Sequence, residues 1–321
     1  MSIFFVHIPK TAGTSFRLGA ERFFGKSRVW YDYGDKEKET SDTVKKHLYQ
    51  GGSDVWALRS KLEANDIAML GGHVSVGKYV SLLGIADTIT FVRDPLHRIV
   101  SEYRHFVRHH GYGHDFKTFY SRPVMHNRIH KFFQGVEPEA FGFIGLTECY
   151  AKSLDVLNER YDISVPTLEE NRGNDGVDIE HELSSDDVKE LTLLNRRDVS
   201  LYEKCRSLFE TRLELYESNL PYAHACLVEA NTQRISGWAW WAVPSDSPVD
   251  IEVWVNDEKV KKVKSTELRP NLCRLRPPRG GYVGFQMAGK FFPGDRVQCR
   301  VADTGQRFPT QPRQVRKPED A

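Results

Sequence analysis

Phe5-Val6-His7-Ile8-Pro9-Lys10-Thr11-Ala12-Gly13-Thr14-Ser15-Phe16 reads as the end of a β-run, a loop holding Lys, Gly and hydroxyl residues, and the first turn of an amphipathic helix. Such a connection gathers several backbone N–H groups and a helix N-terminus around one point, which is a ready anion site. Thr14 and Ser15 add hydroxyl donors, and Lys10 adds a mobile positive charge. The nucleoside-triphosphate version of this loop, GxxxxGK[ST], carries its Lys after the second Gly. Here Lys10 precedes Gly13, the only Gly of the loop, so an ordinary triphosphate hydrolase is not expected. The plainer alternative is a strand-turn-helix connection that happens to carry a lysine, and the density of donors speaks against it.

The same alternation continues outward from the loop. Ile3 to His7 is followed by a helical Thr14 to Phe24, Ile67 to Leu70 by Val76 to Leu83, Thr88 to Val92 by Leu96 to His110, and Phe141 to Leu146 by Ala151 to Tyr161. That pattern predicts an α/β fold, a P-loop-like parallel sheet flanked by helices. Two more helices are expected to close the domain, one capped by Ser184-Ser185-Asp186-Asp187 and one from Val199 to Tyr216. After Asn219-Leu220-Pro221 the helical period disappears and short strands take over: Ile235 to Trp241, Asp250 to Val255, Lys259 to Lys264, Tyr282 to Met287 and Arg296 to Asp303. A small all-β sandwich domain follows from that spacing. The expected division is therefore 1–221 for the α/β domain, 222–308 for the β module, and a Pro- and charge-rich 309–321 as a disordered tail.

Composition narrows the classes. The chain has 321 residues, 40% hydrophobic, with 45 Lys plus Arg against 44 Asp plus Glu, so it can bury a full core and carries no global field of the kind that marks nucleic-acid binders. Residues 222–321 hold 16 Lys plus Arg and 11 Asp plus Glu, a net +5, which leaves −4 for residues 1–221. The longest apolar run near the start, Ile3-Phe4-Phe5-Val6, is far short of the roughly 20 residues that span a bilayer, so neither export nor a membrane span is expected. Cys149, Cys205, Cys226, Cys273 and Cys299 are widely spaced and never form CxxC, which suggests neither a disulfide framework nor a zinc knuckle and favours a reducing, cytoplasmic setting.

A second motif is Thr90-Phe91-Val92-Arg93-Asp94-Pro95-Leu96-His97-Arg98-Ile99-Val100-Ser101. A β-run ends at Arg93, Pro95 sits in the first helical turn where its missing N–H costs little, and Ser101 follows two turns into the helix. An Arg at a strand end and a hydroxyl from the next helix can hold a phosphate together. His105, His109, His110 and His114 cluster on and after this helix. Without HExxH or a matching carboxylate they read as a solvated face rather than as metal ligands, and no metal is expected.

The two motifs resemble the cofactor signatures of sulfotransferases that use 3′-phosphoadenosine 5′-phosphosulfate (PAPS), and most closely the family 2 carbohydrate sulfotransferases, typified by heparan sulfate and dermatan or chondroitin 2-O-sulfotransferases. Ile8 to Ser15 looks like the 5′-phosphosulfate loop and Val92 to Ser101 like the 3′-phosphate site. Gly71-Gly72-His73-Val74 and Phe143-Ile144-Gly145-Leu146-Thr147-Glu148 continue the likeness, which covers roughly residues 1–218.

The resemblance implies that Lys10 stabilises the leaving 5′-phosphate, that Thr11, Ala12, Gly13, Thr14 and Ser15 cradle it, and that Arg93 with Ser101 reads the 3′-phosphate. It implies His73 as the general base that activates a carbohydrate hydroxyl. Relatives carry His-Gly-His at that place, whereas this chain has Gly71 in place of the first His. By the same analogy Asn127 and Arg128 approach the acceptor, and Asn171 and Arg172 lie in a loop that closes over the nucleotide; from its position on the helix, Arg104 is expected to line the acceptor cleft. A bacterial, cytoplasmic enzyme acting on an oligosaccharide, a polysaccharide precursor or a glycoside is the expectation, with homo-oligomerisation left open. The rivals are an ATP-dependent kinase on the same loop and a catalytically silent glycan-binding protein.

In the β module, Trp238, Trp240, Trp241 and Trp254 could offer flat faces to sugar rings. Alternation puts Trp238 and Trp240 on one face and Trp241 on the other, so some of these rings must fill the core. Arg274, Arg276 and Arg279 beside Pro277-Pro278 could attract a sulfated or uronate-bearing polymer.

Overall fold

The computed structural model describes residues 2–168, 183–309 and 313–316. The chain forms two compact units, one made of Met1–Leu83, Asp87–Pro138 and Phe143–Arg206, the other of Gly84–Ala86, Glu139–Gly142 and Ser207–Ala321. The second unit is thus assembled from three stretches of chain and begins before the composition change at 221–222.

The first unit is built on a five-stranded sheet of β1 (Ile3–Val6), β2 (Val29–Asp32), β3 (Met69–Gly72), β4 (Thr88–Val92) and β5 (Phe143–Leu146), in the order β2-β3-β1-β4-β5. Every pairing is parallel. The helices of this unit are α1 (Gly13–Phe24), α2 (Asp42–Leu48), α3 (Val55–Ala64), α4 (Val80–Leu83), α5 (Pro95–His110), α6 (Phe116–Tyr120), α7 (Arg128–Phe133), α8 (Tyr150–Tyr161) and α9 (Ser185–Leu194). The long α10 (Arg196–Glu217) begins in this unit and ends in the other. The α/β expectation holds, and the reason is visible in the strands. All residues of β1, β3, β4 and β5 are buried, as both-face covering by helices requires, so they read as continuous apolar runs.

The edge strand β2 is the element that the sequence pattern does not announce. Its carboxyl end is pinned by Asp32, which is fully buried. One carboxylate oxygen accepts from the Tyr49 hydroxyl at 2.7 Å and the other from Lys78 Nζ at 2.5 Å and the Tyr79 hydroxyl at 2.5 Å. Burial alone would raise the pKa of Asp32, but the hydrogen bonds from Lys78, Tyr79 and Tyr49 outweigh it and hold the carboxyl below its ordinary value. The next residue, Tyr33, is fixed through its backbone N–H, which donates to Thr40 Oγ1 at 2.9 Å.

The second unit holds two antiparallel four-stranded sheets. One has the order β10-β11-β7-β6, from β6 (Ala223–Ala230), β7 (Arg234–Trp241), β10 (Glu267–Leu268) and β11 (Tyr282–Ala288); the other runs β13-β12-β8-β9, from β8 (Asp250–Val255), β9 (Glu258–Lys264), β12 (Arg296–Val301) and β13 (Arg313–Gln314). A short helix, α11 (Pro270–Cys273), lies between β10 and β11. The shared apolar core is made by Ile235, Ala239, Ile251, Val253, Phe285, Val297 and their neighbours, with Trp241 packed against it. Trp238 and Trp240 lie on the opposite face of β7 and are buried there, stacked on each other with ring centroids 4.5 Å apart. His224 stacks on Trp240, donates from Nδ1 to the Glu139 carbonyl at 3.0 Å, and meets Arg212 Nη2 with Nε2 at 3.3 Å. Arg212 also donates to the Gly142 carbonyl at 2.9 Å. Neither of these two indoles offers a face to solvent. At the far edge, β9 carries Lys259, Lys261, Lys262 and Lys264 along an exposed strand. Within the stretch expected as a tail, Arg313–Gln314 pair with β12, while residues 310–312 and 317–321 lie outside the described residues.

Candidate active site

In an open parallel sheet, ligands bind beyond the carboxyl ends of the strands. Here Asp32, Gly72 and Val6 share one row of the β2-β3-β1 register. The residues immediately after them are Tyr33, His73 and His7, and they stand side by side at that end of the sheet. The ring centroids of His7 and His73 are 4.5 Å apart, and those of Tyr33 and His73 4.7 Å. A second imidazole beside His73 is thus supplied by His7, from the neighbouring strand. Nothing in the local pattern singles out His7; its place two residues before Pro9 looks like the tail of a strand until β3 is set beside β1.

The loop that follows His7 has the form of an anion cradle. Lys10 and Ala12 both take left-handed backbone angles, φ 68° and 62°, which for side chains other than Gly is a sparsely populated region that persists where surrounding structure imposes it. Ala12 occupies the N-cap of α1 without a side-chain cap, and no acidic residue stands in the first turn. The first loop-to-helix amide with a partner is Phe16 N–H, bonded to the Ala12 carbonyl at 3.2 Å. Among the described residues, the amides of Gly13, Thr14 and Ser15 remain open, as an anion site at a helix N-terminus needs. Ser15 is buried, Thr14 is exposed, and the buried Thr11 turns its hydroxyl back to the Ile8 carbonyl at 2.9 Å, so Thr11 closes the loop and leaves its backbone to face outward. Gly13 is required on steric grounds: a Cβ there would come within 2.0 Å of His7 Cδ2 and 2.2 Å of His7 Nε2.

The second motif lies on the next strand over, because β4 pairs with β1 on the side away from β3. Arg93, half-buried, leaves the end of β4, and its two neighbours are held from β5. Thr147 Oγ1 donates to the Val92 carbonyl at 3.0 Å, and Glu148 accepts from the Asp94 N–H at 2.8 Å. Asp94 in turn caps α5, accepting from Leu96 N–H at 2.9 Å and His97 N–H at 3.0 Å, with Pro95 in the first turn. Ser101 is buried two turns further along. The cradle and Arg93 thus open at the carboxyl ends of adjacent strands.

Electrostatics separate the two histidines. His7 is buried, with its Nδ1 2.9 Å from the Tyr33 hydroxyl, and burial, followed by the charges of His73, Arg17 and Lys10, lowers its pKa well below the ordinary value. His73 is exposed to solvent although protein crowds around it. Burial first, then the Arg128 charge, lowers its pKa to about 4, with Glu102 opposing. Because solvent reaches the ring, the direction of that shift is what matters: His73 is neutral at pH 7. Among the described residues, neither ring nitrogen of His73 has a hydrogen-bond partner.

The remaining expected contacts divide. Arg128 donates to Glu102 Oε1 at 2.7 Å, and the fully buried Arg98 pairs with the other oxygen of the same carboxylate. This network stands close enough to His73 for Arg128 and Glu102 to act on its charge. Asn127 is occupied within the protein: its amide donates to the Leu194 carbonyl at 3.0 Å and its oxygen accepts from the Arg197 N–H at 3.0 Å. Arg104 is half-buried on α5. His105, on the same helix, is lowered by burial and then by the charge of Lys10, so this helix shares the field of the cradle. Asn171 and Arg172 lie outside the described residues. No group of three or more His, Cys, Asp or Glu placed to hold a metal occurs among the described residues.

Residues 1–159 match the Sulfotransferase family. The match covers the cradle, the His73 row, the Arg93 motif and β5, just under half of the chain. No curated protein and no solved structure matches the chain. The sulfotransferase likeness ends within α8, and the second unit lies outside it apart from Gly84–Ala86 and Glu139–Gly142.

Proposed function

We propose that this protein is a sulfotransferase that moves the sulfuryl group of PAPS to a carbohydrate hydroxyl by in-line displacement. The observation that carries the reading is an uncapped helix N-terminus with left-handed Lys10 and Ala12, one strand from a neutral histidine whose ring nitrogens are both open. PAPS, when bound, supplies the activated sulfuryl group and departs as 3′,5′-ADP. The open amides of Gly13, Thr14 and Ser15, with Lys10, fit its 5′-phosphate, and Arg93 with Ser101 fits its 3′-phosphate. Lys10 neutralises the charge that grows on the leaving phosphate oxygen. His73 takes the proton of the acceptor hydroxyl, for which a neutral imidazole reachable from solvent is the required state. His7 is less suited to that step, since its ring is buried and its Nδ1 is engaged by Tyr33.

The acceptor is read as an oligosaccharide, a polysaccharide precursor or a glycoside, met in a reducing cytoplasm, and the β unit as an accessory for docking or oligomerisation. A kinase on the same cradle would need its lysine after the glycine and an acidic Mg²⁺ ligand; Asp94, the acid after Arg93, is committed to capping α5. Calorimetric titration with 3′,5′-ADP, ATP and 5′-AMP, each with and without Mg²⁺, tests the reading. Metal-independent preference for 3′,5′-ADP is expected, and His73→Ala should abolish transfer while that binding persists. Preference for Mg-ATP would move the protein to the kinases, and a His73→Ala enzyme turning over at the normal rate would remove His73 from the role of base.

A further inference from the structure

A histidine that serves as base is ordinarily aimed by a carboxylate or carbonyl on its second ring nitrogen. His73 has no such partner among the described residues, so its orientation comes from packing alone. Two rings grip it. His7 meets it at an interplanar angle of 65° and Tyr33 at 88°, both as edge contacts. We propose that Tyr33 is a positioning residue for His73, acting through its hydrogen bond to His7; the inference rests on reading His73 as the base.

The Tyr33 hydroxyl lies 2.9 Å from His7 Nδ1, and the charge of Arg17 on α1 acts on both groups. Burial pushes the Tyr33 hydroxyl up to about 12, which keeps its proton in place at neutral pH. A neutral His7 bonded at Nδ1 is held in one tautomer, with its Nε2 lying against Gly13 in the cradle. His7 cannot turn without leaving Tyr33 or striking Gly13, and His73 rests on both rings. The pair Tyr33 and His7 thus ties the base to the loop that is read as holding the leaving group. Tyr33 itself is anchored from behind by Thr40 and by the buried Asp32 cluster.

The groups facing His73 are His7 beyond β1, Tyr33 beyond β2, Arg17 on α1, Glu102 on α5 and Arg128 on α7. The test uses the full chain labelled with ¹⁵N, with imidazole resonances assigned by His7→Asn and His73→Asn. Tyr33→Phe keeps the ring and removes the hydroxyl; it should convert His7 from one dominant tautomer to a mixture. Tyr33→Ala removes the ring, and the His73 midpoint should rise from near 4 toward 6.5 as water replaces it. In turnover with PAPS, Tyr33→Phe should lower kcat by about tenfold or more with an unchanged KM for the donor, as expected of a misaligned base. An unchanged His7 tautomer in Tyr33→Phe overturns the proposal, whether or not Tyr33→Ala folds. Failure of the wild-type protein to bind 3′,5′-ADP would instead overturn the donor reading, and the tautomer measurement would still decide the role of Tyr33.

Discussion

His7 and His73 are both more reluctant to take a proton in the folded protein than in the unfolded chain, where 6.5 is the ordinary value. The sign of the resulting pH dependence is fixed by that order. Above pH 6.5 the imidazoles are neutral in both states and their contribution is complete. As pH falls toward 4 the unfolded chain gains protons that the folded chain refuses, so stability declines across that window. The urea midpoint should therefore be lower at pH 5 than at pH 7, and His73→Asn should flatten the difference; an unaltered slope in that variant would mean that His73 titrates normally. Lys10, Gly13 and Ser15 are legible in the sequence because the cradle is local, formed by consecutive residues. His7 and Tyr33 are not, because each acquires its meaning from a strand far away in the chain, and no local spacing encodes which strand lies beside which.

At the scale of elements, α5 shows how a helix start can fix the residue that precedes its cap. Asp94 caps two amides, and its own N–H is held by Glu148, so Arg93 sits between a fixed carbonyl at Val92 and a fixed amide at Asp94. Asp94→Ala should cost about 0.5–2 kcal/mol, the ordinary worth of such a cap, read as a lower urea midpoint. It should also weaken 3′,5′-ADP binding through Arg93; a stability loss with undiminished binding would show that Arg93 does not depend on the cap. The helices that follow β1, β4 and β5, the two closing helices and the strands β1, β3, β4 and β5 were readable from period and apolar runs, whereas α2, α3, α6 and α7 were not. The strand β2 was not, being four residues at an edge with Asp at its end, and β6, with Ala, His, Cys and Glu among its residues, lacks the β-branched and aromatic density that marks a strand. It is the unannounced β2 that delivers Tyr33.

Across the whole molecule, the second unit draws on residues 84–86 and 139–142, which the sequence places deep inside the first domain. Ile85 N–H donates to the Leu275 carbonyl at 2.8 Å, and the Gly142 and Glu139 carbonyls receive Arg212 and His224. A chain cut after residue 221, where composition alone would cut it, keeps both inserted stretches but loses Leu275 and His224. Such a fragment should melt below the full chain and show faster amide exchange at Ile85, as a buried donor without its partner predicts. Equal melting and equal protection would mean that these stretches do not need the β strands.

The lysines of β9 bear on how copies of this protein meet. A strand at the rim of a sheet offers unpaired peptide groups to any passing chain, and side-chain charge is one way to forbid that addition. Four of the 16 Lys and Arg after residue 221 stand on this one rim. A second β9 laid against it would bring the lysines of two copies together, although Lys259 pairs with Glu252 and Lys262 and Lys264 with Asp250 on β8. Part of the basic excess that invites an anionic polymer thus also acts as a guard against fibrous self-association, and any symmetric pairing of copies should form through a surface other than this rim.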